Sequence, residues 1–198
     1  MNLQFFKTIT DIRFSMLKIA VTGSIASGKT TLINQFKKYP RFDADSVVSK
    51  LYKTKTIKKK LFKRFNTSNK KTIAKKAFSN KSDLMFLQKL FCPSAIKELK
   101  LFLSKNKDKT TISEIPLLFE SNTEKLFDLI ILISCSKPIQ LKRLQKKGFS
   151  QKDSLNRINS QRSLKTHAPK ADILINNSRS ISSLKMKAKK IIDSLSVI

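Results

Sequence analysis

Residues 17–30 read LKIAVTGSIASGKT, an apolar run followed by a loop and the start of a helix. The pattern G-x-x-x-x-G-K-T from Gly23 to Thr30 is the phosphate-binding loop that joins a buried strand to a helix N-terminus. In such a loop the backbone N–H groups surround the phosphates of a nucleotide, and the helix dipole adds positive potential. The segment therefore predicts a nucleotide-phosphate site.

Two side chains of this loop are expected to carry chemistry. Lys29 reaches the β- and γ-phosphates of a bound nucleotide such as ATP, and the Thr30 hydroxyl holds Mg²⁺. The loop alone leaves kinases, GTPases and motor ATPases open. The residues predicted to bind the nucleotide are Gly23, Ser24, Ile25, Ala26, Ser27, Gly28, Lys29, Thr30 and Thr31.

The composition predicts one folded core with an unusually basic surface. The chain has 198 residues, of which 40% are hydrophobic and 14 are Phe, which argues against a disordered basic protein. The formal net charge of +29 is compatible with nucleic acid, an anionic membrane or an acidic small substrate. Only seven of the 42 basic residues are Arg, the side chain that specific nucleic-acid recognition favours. Most of this charge is therefore interpreted as solvated lysine, and no specific nucleic-acid partner is expected.

The cysteines and apolar runs indicate a soluble protein of a reducing compartment. Cys92 and Cys135 lie far apart and lack metal-ligand spacing, so neither a disulfide nor a zinc site is expected. Apolar runs are far shorter than the roughly 20 residues of a membrane-spanning helix. Residues 1–15 resemble no secretory leader and are interpreted as an extension. A cytoplasmic monomer without a membrane partner is expected.

Apolar runs alternate with helical patterns along the chain, which predicts an α/β fold with a doubly wound parallel sheet. The runs lack polar alternation, as is typical of strands covered by helices on both faces. The predicted strands are Leu17 to Thr22, Thr110 to Leu117, Leu129 to Ser134 and Ile173 to Ile175, with a short strand from Arg41 into Asp43.

Two helical additions are expected within a single domain that covers residues 16–198. The first is an insertion at about 53–106, where four successive segments have apolar residues at helical spacing. Between Asp45 and Asp83 the sequence contains thirteen Lys or Arg and no acidic residue, which fits either solvated helix faces or an anion-binding wall. The second is a basic lid at about 138–166, with helices on either side of Gly148. Ser150 followed by Asp153 resembles a capping box, which predicts the start of the second of these helices.

Asp43-Ala44-Asp45 follows the short strand, at the sheet edge where α/β proteins bind ligands. A carboxylate there can accept the proton of an acceptor hydroxyl, which phosphoryl transfer to an alcohol requires. Asp45 could equally cap the helix that follows, or do both.

Several motifs together resemble the dephospho-coenzyme A kinase family, from about Leu17 to about Asn177. The most specific are the strand and phosphate loop, Asp43-Ala44-Asp45, and the run from Ile115 to Glu120, IPLLFE. Other similar stretches are residues 69–78, Gln140 with Arg143 and Leu144, residues 157–161 (RINSQ) and residues 171–177 (ADILINN).

The resemblance implies a P-loop kinase that phosphorylates the 3′-hydroxyl of dephospho-coenzyme A with ATP and Mg²⁺, the last step of coenzyme A biosynthesis. Catalytic roles are then expected for Lys29, for Asp45 as the base, and for Arg143, which would close over the γ-phosphoryl group from the lid. Glu114 is expected to orient a metal-bound water beside Thr30.

The acceptor implied by the resemblance carries a pyrophosphate, which suits a basic insertion. Lys70 and Lys71 are the residues predicted to contact it, and Asp43 is expected to support Asp45 at the acceptor side. Two alternatives stay open from the residues: another small-molecule P-loop kinase, and a basic nucleic-acid-binding ATPase.

Some positions depart from the family pattern. Ser24 and Ala26 replace glycines in the loop, and Lys147 stands where a second lid arginine is common. The methyl group of Ala26 adds bulk where the backbone approaches phosphate.

Overall fold

The computed structural model describes residues 16–161 and 164–196, so the predicted extension at residues 1–15 lies outside it. Five parallel strands form one sheet in the order β2-β3-β1-β4-β5. They are β1 (Lys18–Gly23), β2 (Arg41–Asp43), β3 (Thr111–Glu114), β4 (Leu129–Ser134) and β5 (Ile173–Asn176). The predicted doubly wound parallel sheet is thereby confirmed.

Helices cover both faces of the sheet. They are α1 (Lys29–Ile33), α2 (Ala44–Leu51), α3 (Lys55–Phe65), α4 (Lys70–Ser79), α5 (Lys81–Lys105), α6 (Lys137–Lys146), α7 (Gln151–Asn159), α8 (Leu164–His167) and α9 (Ile181–Ser196). Short 3₁₀ turns occur at Glu124–Leu126 and Ala168–Lys170. No helix in the described ranges is both long and apolar enough to cross a bilayer.

Strand β1 is buried on both faces because its successive side chains point to opposite helical layers. Ile19 and Val21 join the core on the side of α1 and α9, whereas Ala20 joins the core on the side of α5. This two-sided burial explains why the central strands contain so few polar residues.

Gly23 ends β1 in a conformation and a space that only glycine tolerates. Its φ is +138°, and a Cβ built there would overlap the carbonyl oxygen of Ile133 on β4. The close approach lets the chain leave the sheet at once and begin the phosphate loop.

Strand β3 is shorter than expected. The sequence predicted a strand from Thr110 to Leu117, but the ladder ends at Glu114, one residue before Ile115-Pro116. Proline has no N–H to continue a ladder, and the chain turns instead. As a result Glu114 lies near the carboxyl edge of the sheet, opposite Val21 of β1.

The helical insertion is built on α5, a single helix where two amphipathic segments were expected. The helix runs through Pro93. The hydrogen bond that this proline cannot donate would go to the carbonyl of Lys89, an exposed residue that water can reach. Phe91 packs with α3 and α4, whereas Leu99 and Leu103 pack on the sheet. One continuous helix therefore fixes the insertion to the sheet.

The two predicted lid helices are present as α6 and α7. Gly148 between them has φ +85°, the left-handed conformation that glycine adopts readily. The Ser150 hydroxyl accepts a hydrogen bond from the backbone N–H of Asp153 at 3.2 Å and so caps α7, as the capping pattern predicts.

Candidate active site

A cleft of about 1370 Å³ opens at the carboxyl edge of the sheet. It is lined by the phosphate loop, by α2, by the insertion and by the lid. Single-ligand pockets are typically about 300–1,000 Å³, so this cleft has room for a nucleotide and a second molecule beside it.

The phosphate loop wraps back on its own lysine. Lys29 is only 8% exposed, and its Nζ donates hydrogen bonds to the carbonyl oxygens of Gly23 at 2.9 Å and Ser24 at 3.0 Å. Burial lowers the pKa of Lys29, while the charges of Glu114 and Asp45 oppose that shift. The lysine is held at the loop by local backbone geometry.

Ala26 occupies the left-handed region of the loop, with φ +56°. Its position costs an L-residue roughly 1–2 kcal/mol, which is why glycine is the ordinary choice there. The surrounding structure compensates with bonds to the carbonyl of Ala26, from the Arg143 Nη1 at 3.0 Å and from the Cys135 Sγ at 3.8 Å.

Thr30 and Glu114 meet at the base of the cleft. The Thr30 hydroxyl lies 3.0 Å from Oε2 and 3.3 Å from Oε1 of Glu114, to which it donates. Burial raises the pKa of Glu114, whereas Lys29 and the Thr30 hydrogen bond lower it. Hydroxyl and carboxylate oxygens are the donors that Mg²⁺ prefers, and it commonly uses few protein ligands beside phosphate. The residues present thus fit a magnesium ion.

The two aspartates of the Asp43-Ala44-Asp45 motif have different structural roles. Asp43 is the N-cap of α2, and its Oδ1 accepts a hydrogen bond from the N–H of Asp45 at 2.9 Å. Asp45 lies in the first turn of α2, lines the cleft and keeps its side chain accessible. Capping is therefore performed by Asp43, which leaves the Asp45 carboxylate free to face ligands.

The walls of the cleft alter the acidity of Asp45. The surrounding walls displace part of the water around the accessible Asp45 carboxylate, and this desolvation raises the pKa of Asp45; the nearby Asp43 charge adds to the rise. Lys29, Lys70 and Lys147 act in the opposite direction. The carboxylate therefore lies within electrostatic reach of the loop, the insertion and the lid together.

Of the two lysines expected to bind the acceptor, the structure places only Lys70 in the cleft. Its Nζ donates to the Ser49 hydroxyl at 2.9 Å and lies 5.2 Å from the centre of the Tyr52 ring. Lys71 is exposed and lies outside the lining of the cleft. Consecutive helical residues point about 100° apart, so a single helix cannot aim both at one site.

Arg143 lines the cleft, but its guanidinium is engaged in holding the loop. Besides Ala26, it donates to the carbonyls of Ser27 at 3.2 Å and Asn177 at 3.0 Å. In this conformation its guanidinium stabilises the phosphate loop and does not point at a transferring group.

Lys147 is a lid cation to which the sequence analysis gave no catalytic role. It follows Arg143 by four residues, caps the end of α6 and lines the cleft. Within the described part of the chain, no hydrogen bond or ion pair holds its ammonium, yet its charge acts on both Lys29 and Asp45. The sequence signal that could have identified Lys147 was its position one helical turn after Arg143.

Three amides also support the loop, and only their membership in family-like motifs pointed to them. Gln140 donates from Nε2 to the Ser24 hydroxyl at 3.1 Å, and Gln161 accepts from the N–H of Ile25 at 2.6 Å. Asn177 donates to the Ser27 carbonyl at 2.7 Å.

Comparison with known proteins agrees with this geometry. The profile of the dephospho-CoA kinase family matches residues 17–183. The dephospho-CoA kinase of Rickettsia prowazekii is 33% identical over 187 residues, covering 91% of this chain and 98% of that protein.

Solved structures are similar over the same region. The dephospho-CoA kinase from Campylobacter jejuni superposes with a TM-score of 0.62 at 26% identity, covering 90% of this chain and 96% of its own. TT1252 from Thermus thermophilus has a TM-score of 0.73 at 24% identity, covering 92% of this chain and 99% of its own, which supports the fold. By sequence and by fold, the chain belongs to the dephospho-CoA kinase family, whose members transfer a phosphoryl group to an alcohol.

Proposed function

We propose that this protein transfers the γ-phosphoryl group of ATP to the 3′-hydroxyl of dephospho-coenzyme A, with the residues of the cleft in the roles given below. One observation carries the proposal. The accessible carboxylate of Asp45 and the phosphate-loop lysine Lys29 line one cleft and act on each other's pKa, with space beside them for an acceptor.

Asp45 acts as the base. As the acceptor oxygen attacks, the new oxygen–phosphorus bond forms, the bond between the γ-phosphorus and the bridging oxygen breaks, and its electron pair leaves with ADP. The hydroxyl proton passes to the Asp45 carboxylate. A raised pKa strengthens this carboxylate as a proton acceptor, provided that it is ionised at the working pH.

Lys29 and the loop amides stabilise the charge that spreads over the transferring oxygens. To reach the phosphates, the Lys29 ammonium exchanges its two carbonyl partners for phosphate oxygens. Thr30 and Glu114 would hold Mg²⁺, which when bound neutralises part of the charge on the β- and γ-phosphates. The Thr30 hydroxyl and the Glu114 carboxylate are within hydrogen-bonding distance of each other, so both can reach one ion.

The lid contributes cations from α6. Lys147 is placed to approach the transferring group, because no described residue holds its ammonium and its charge acts on Asp45. Arg143 reaches phosphate only if it releases the loop carbonyls, and until then it fixes the shape of the loop. An assignment of Arg143 as a catalytic residue therefore requires a conformational change of the lid.

Lys70 is the proposed contact for the pyrophosphate of the acceptor. It lies in the cleft near enough to Asp45 to lower the pKa of that carboxylate. Beyond it the cleft continues along α5, where apolar side chains such as Leu84, Leu87 and Ile96 line the wall. That compartment suits the uncharged remainder of an extended acceptor.

Cytoplasmic activity is part of the proposal. Cys92 and Cys135 are both free thiols, which suits a reducing compartment.

Mass analysis of the acceptor provides the direct test. Dephospho-coenzyme A incubated with the protein, ATP and Mg²⁺ is expected to gain one phosphate at the 3′ position, with no requirement for polynucleotide. Nucleosides, nucleotides and shikimate serve as competing alcohols in parallel reactions. Faster phosphorylation of any of them, or ATP turnover only with polynucleotide, would contradict the proposed acceptor.

A further inference from the structure

Helix α7 contacts the phosphate loop at its C-terminal end. Gln161 directly follows the C-cap residue Ser160, and its Oε1 accepts the backbone N–H of Ile25 at 2.6 Å. This contact joins residues 136 positions apart in the chain. A shift of the end of α7 would therefore displace the backbone of the loop at Ile25.

The same helix contacts the acceptor side of the cleft one turn earlier. The guanidinium carbon of Arg157 lies 4.2 Å from the ring centre of Phe78 on α4 and 4.3 Å from that of Phe149 before α7. The Arg157 Nε also donates to Asp153 at 3.1 Å, and its side chain is only 11% exposed. A planar guanidinium stacked on aromatic rings, with its charge paired, is a well-defined contact.

Arg157 and Gln161 are four residues apart, and both line the cleft. The first contacts the insertion that forms the acceptor wall, and the second contacts the loop that forms the nucleotide site. A segment of five residues thus joins the two halves of the cleft without passing through the sheet. The helix packs on α4 and α6, so movement of the insertion must be accommodated by α7.

We infer that α7 couples the binding of the two substrates, with Arg157 and Gln161 as positioning residues that transmit acceptor binding to the phosphate loop. The inference rests on the proposed function, because it assigns the acceptor to the insertion. Acceptor bound against α4 fixes Phe78, Phe78 fixes Arg157, and Gln161 then holds the Ile25 amide in the nucleotide-binding geometry. Such coupling is reciprocal, since each ligand must change the affinity of the other by the same factor.

Calorimetry on the full chain tests the coupling. The affinity for a non-hydrolysable ATP analogue with Mg²⁺ is measured without and with saturating dephospho-coenzyme A. We expect the acceptor to tighten nucleotide binding by about fivefold or more in the wild type, which is the lower range of measured couplings. Gln161→Ala is expected to bring this ratio close to one.

A matched control and a second variant separate coupling from folding. Gln151→Ala makes the same substitution at the exposed first residue of α7 and is expected to retain the wild-type ratio. Arg157→Lys keeps a charge beside Asp153 but loses the planar group over the rings, and it too should lower the ratio. Phe78 and Gln161 act in one series of contacts. The double variant Gln161→Ala/Phe78→Leu should therefore lose no more coupling than the single variant with the larger loss.

Three results would overturn the inference: no coupling in the wild type, an unchanged ratio in folded Gln161→Ala, or additive losses in the double variant. Thermal unfolding of each variant identifies any that fail to fold. If Gln161→Ala does not fold, the ratio measured for Arg157→Lys tests the inference in its place. Product formation by the wild type is scored separately. A protein that phosphorylates dephospho-coenzyme A without coupling overturns this inference alone, whereas one that forms no product overturns the proposed function.

Discussion

The phosphate loop and the helical insertion both present lysine to the cleft, but they hold it in opposite ways. Lys29 is buried and bonded to carbonyls five and six residues before it. Lys70 is exposed, and its neighbours are Ser49 of helix α2 and Tyr52, the C-cap residue of α2. A local backbone motif fixes the first lysine, whereas packing between helices fixes the second. Substitutions in the loop should therefore affect the chemical step, and substitutions in the insertion should affect acceptor binding.

The largest effect is expected at the loop. Lys29→Ala removes the positive charge that we propose stabilises the transferring group, and we expect kcat to fall by about 10³-fold or more, in line with the loss of electrostatic stabilisation. Coupled-assay kinetics measure kcat, and circular dichroism checks the fold. Lys142→Ala, at an exposed lysine of α6, is the control and should leave kcat nearly unchanged. Near-normal turnover of folded Lys29→Ala would contradict the role of the loop.

Asp45 is expected to come next. Asp45→Asn keeps the size of the side chain but removes the base, so kcat should fall by about 10²–10⁴-fold while the affinity for ATP changes little. Single-turnover and binding measurements separate the two quantities.

Asp43→Asn is the matched comparison for this variant. Asparagine is as good an N-cap as aspartate, so helix α2 should keep its cap. The variant should therefore keep most of the wild-type activity. If Asp43→Asn abolishes turnover and Asp45→Asn does not, the wrong carboxylate has been chosen.

The insertion should respond differently. Lys70→Gln is expected to raise the KM for dephospho-coenzyme A by about tenfold, which corresponds to about 1.4 kcal/mol, with a smaller change in kcat. Lys71→Gln, one residue along the same helix and outside the cleft, should change either constant less than about twofold. Steady-state kinetics with varied acceptor measure both, and equal effects of the two changes would contradict the placement of Lys70.

The smallest effect concerns pH. The pKa of Asp45 is raised by burial and by Asp43, so the acid limb of kcat/KM should lie above the ordinary range of an aspartate, with activity lost as the pH falls through it. Lys70 lowers that pKa, so Lys70→Gln should move the limb upward, by up to about one pH unit. A pH profile of both proteins measures the shift, and a downward shift would exclude Asp45 as the group observed.

Much of the fold was predictable because its signals are local. Uninterrupted apolar runs predicted the strands, and β4 begins and ends at the predicted residues. The spacing of Ser150 and Asp153 predicted the cap of α7, since capping needs only neighbouring residues. The early end of β3 was missed, although Pro116 was a signal that the ladder could not continue.

The candidate site was predictable only in part. Thr30 and Glu114 were each expected near the metal, and the parallel register of β1 and β3 brings them together. By contrast, the engagement of Arg143 with three carbonyls, the accessibility of Lys147 and the choice of Lys70 over Lys71 as the lysine that faces the cleft depend on how helices pack. No spacing along the chain encodes those contacts.

By itself, then, the sequence determined most of the strand segments, the phosphate loop and the pair of aspartates, because each depends on residues within a few positions of one another. The tertiary structure decided which aspartate caps a helix and which faces the cleft, and it engaged Arg143 with the carbonyls of the loop. It also joined Gln161 to Ile25 across 136 positions. The physical reason is that the direction of a side chain and the charge around it arise from elements that meet only after the chain has folded.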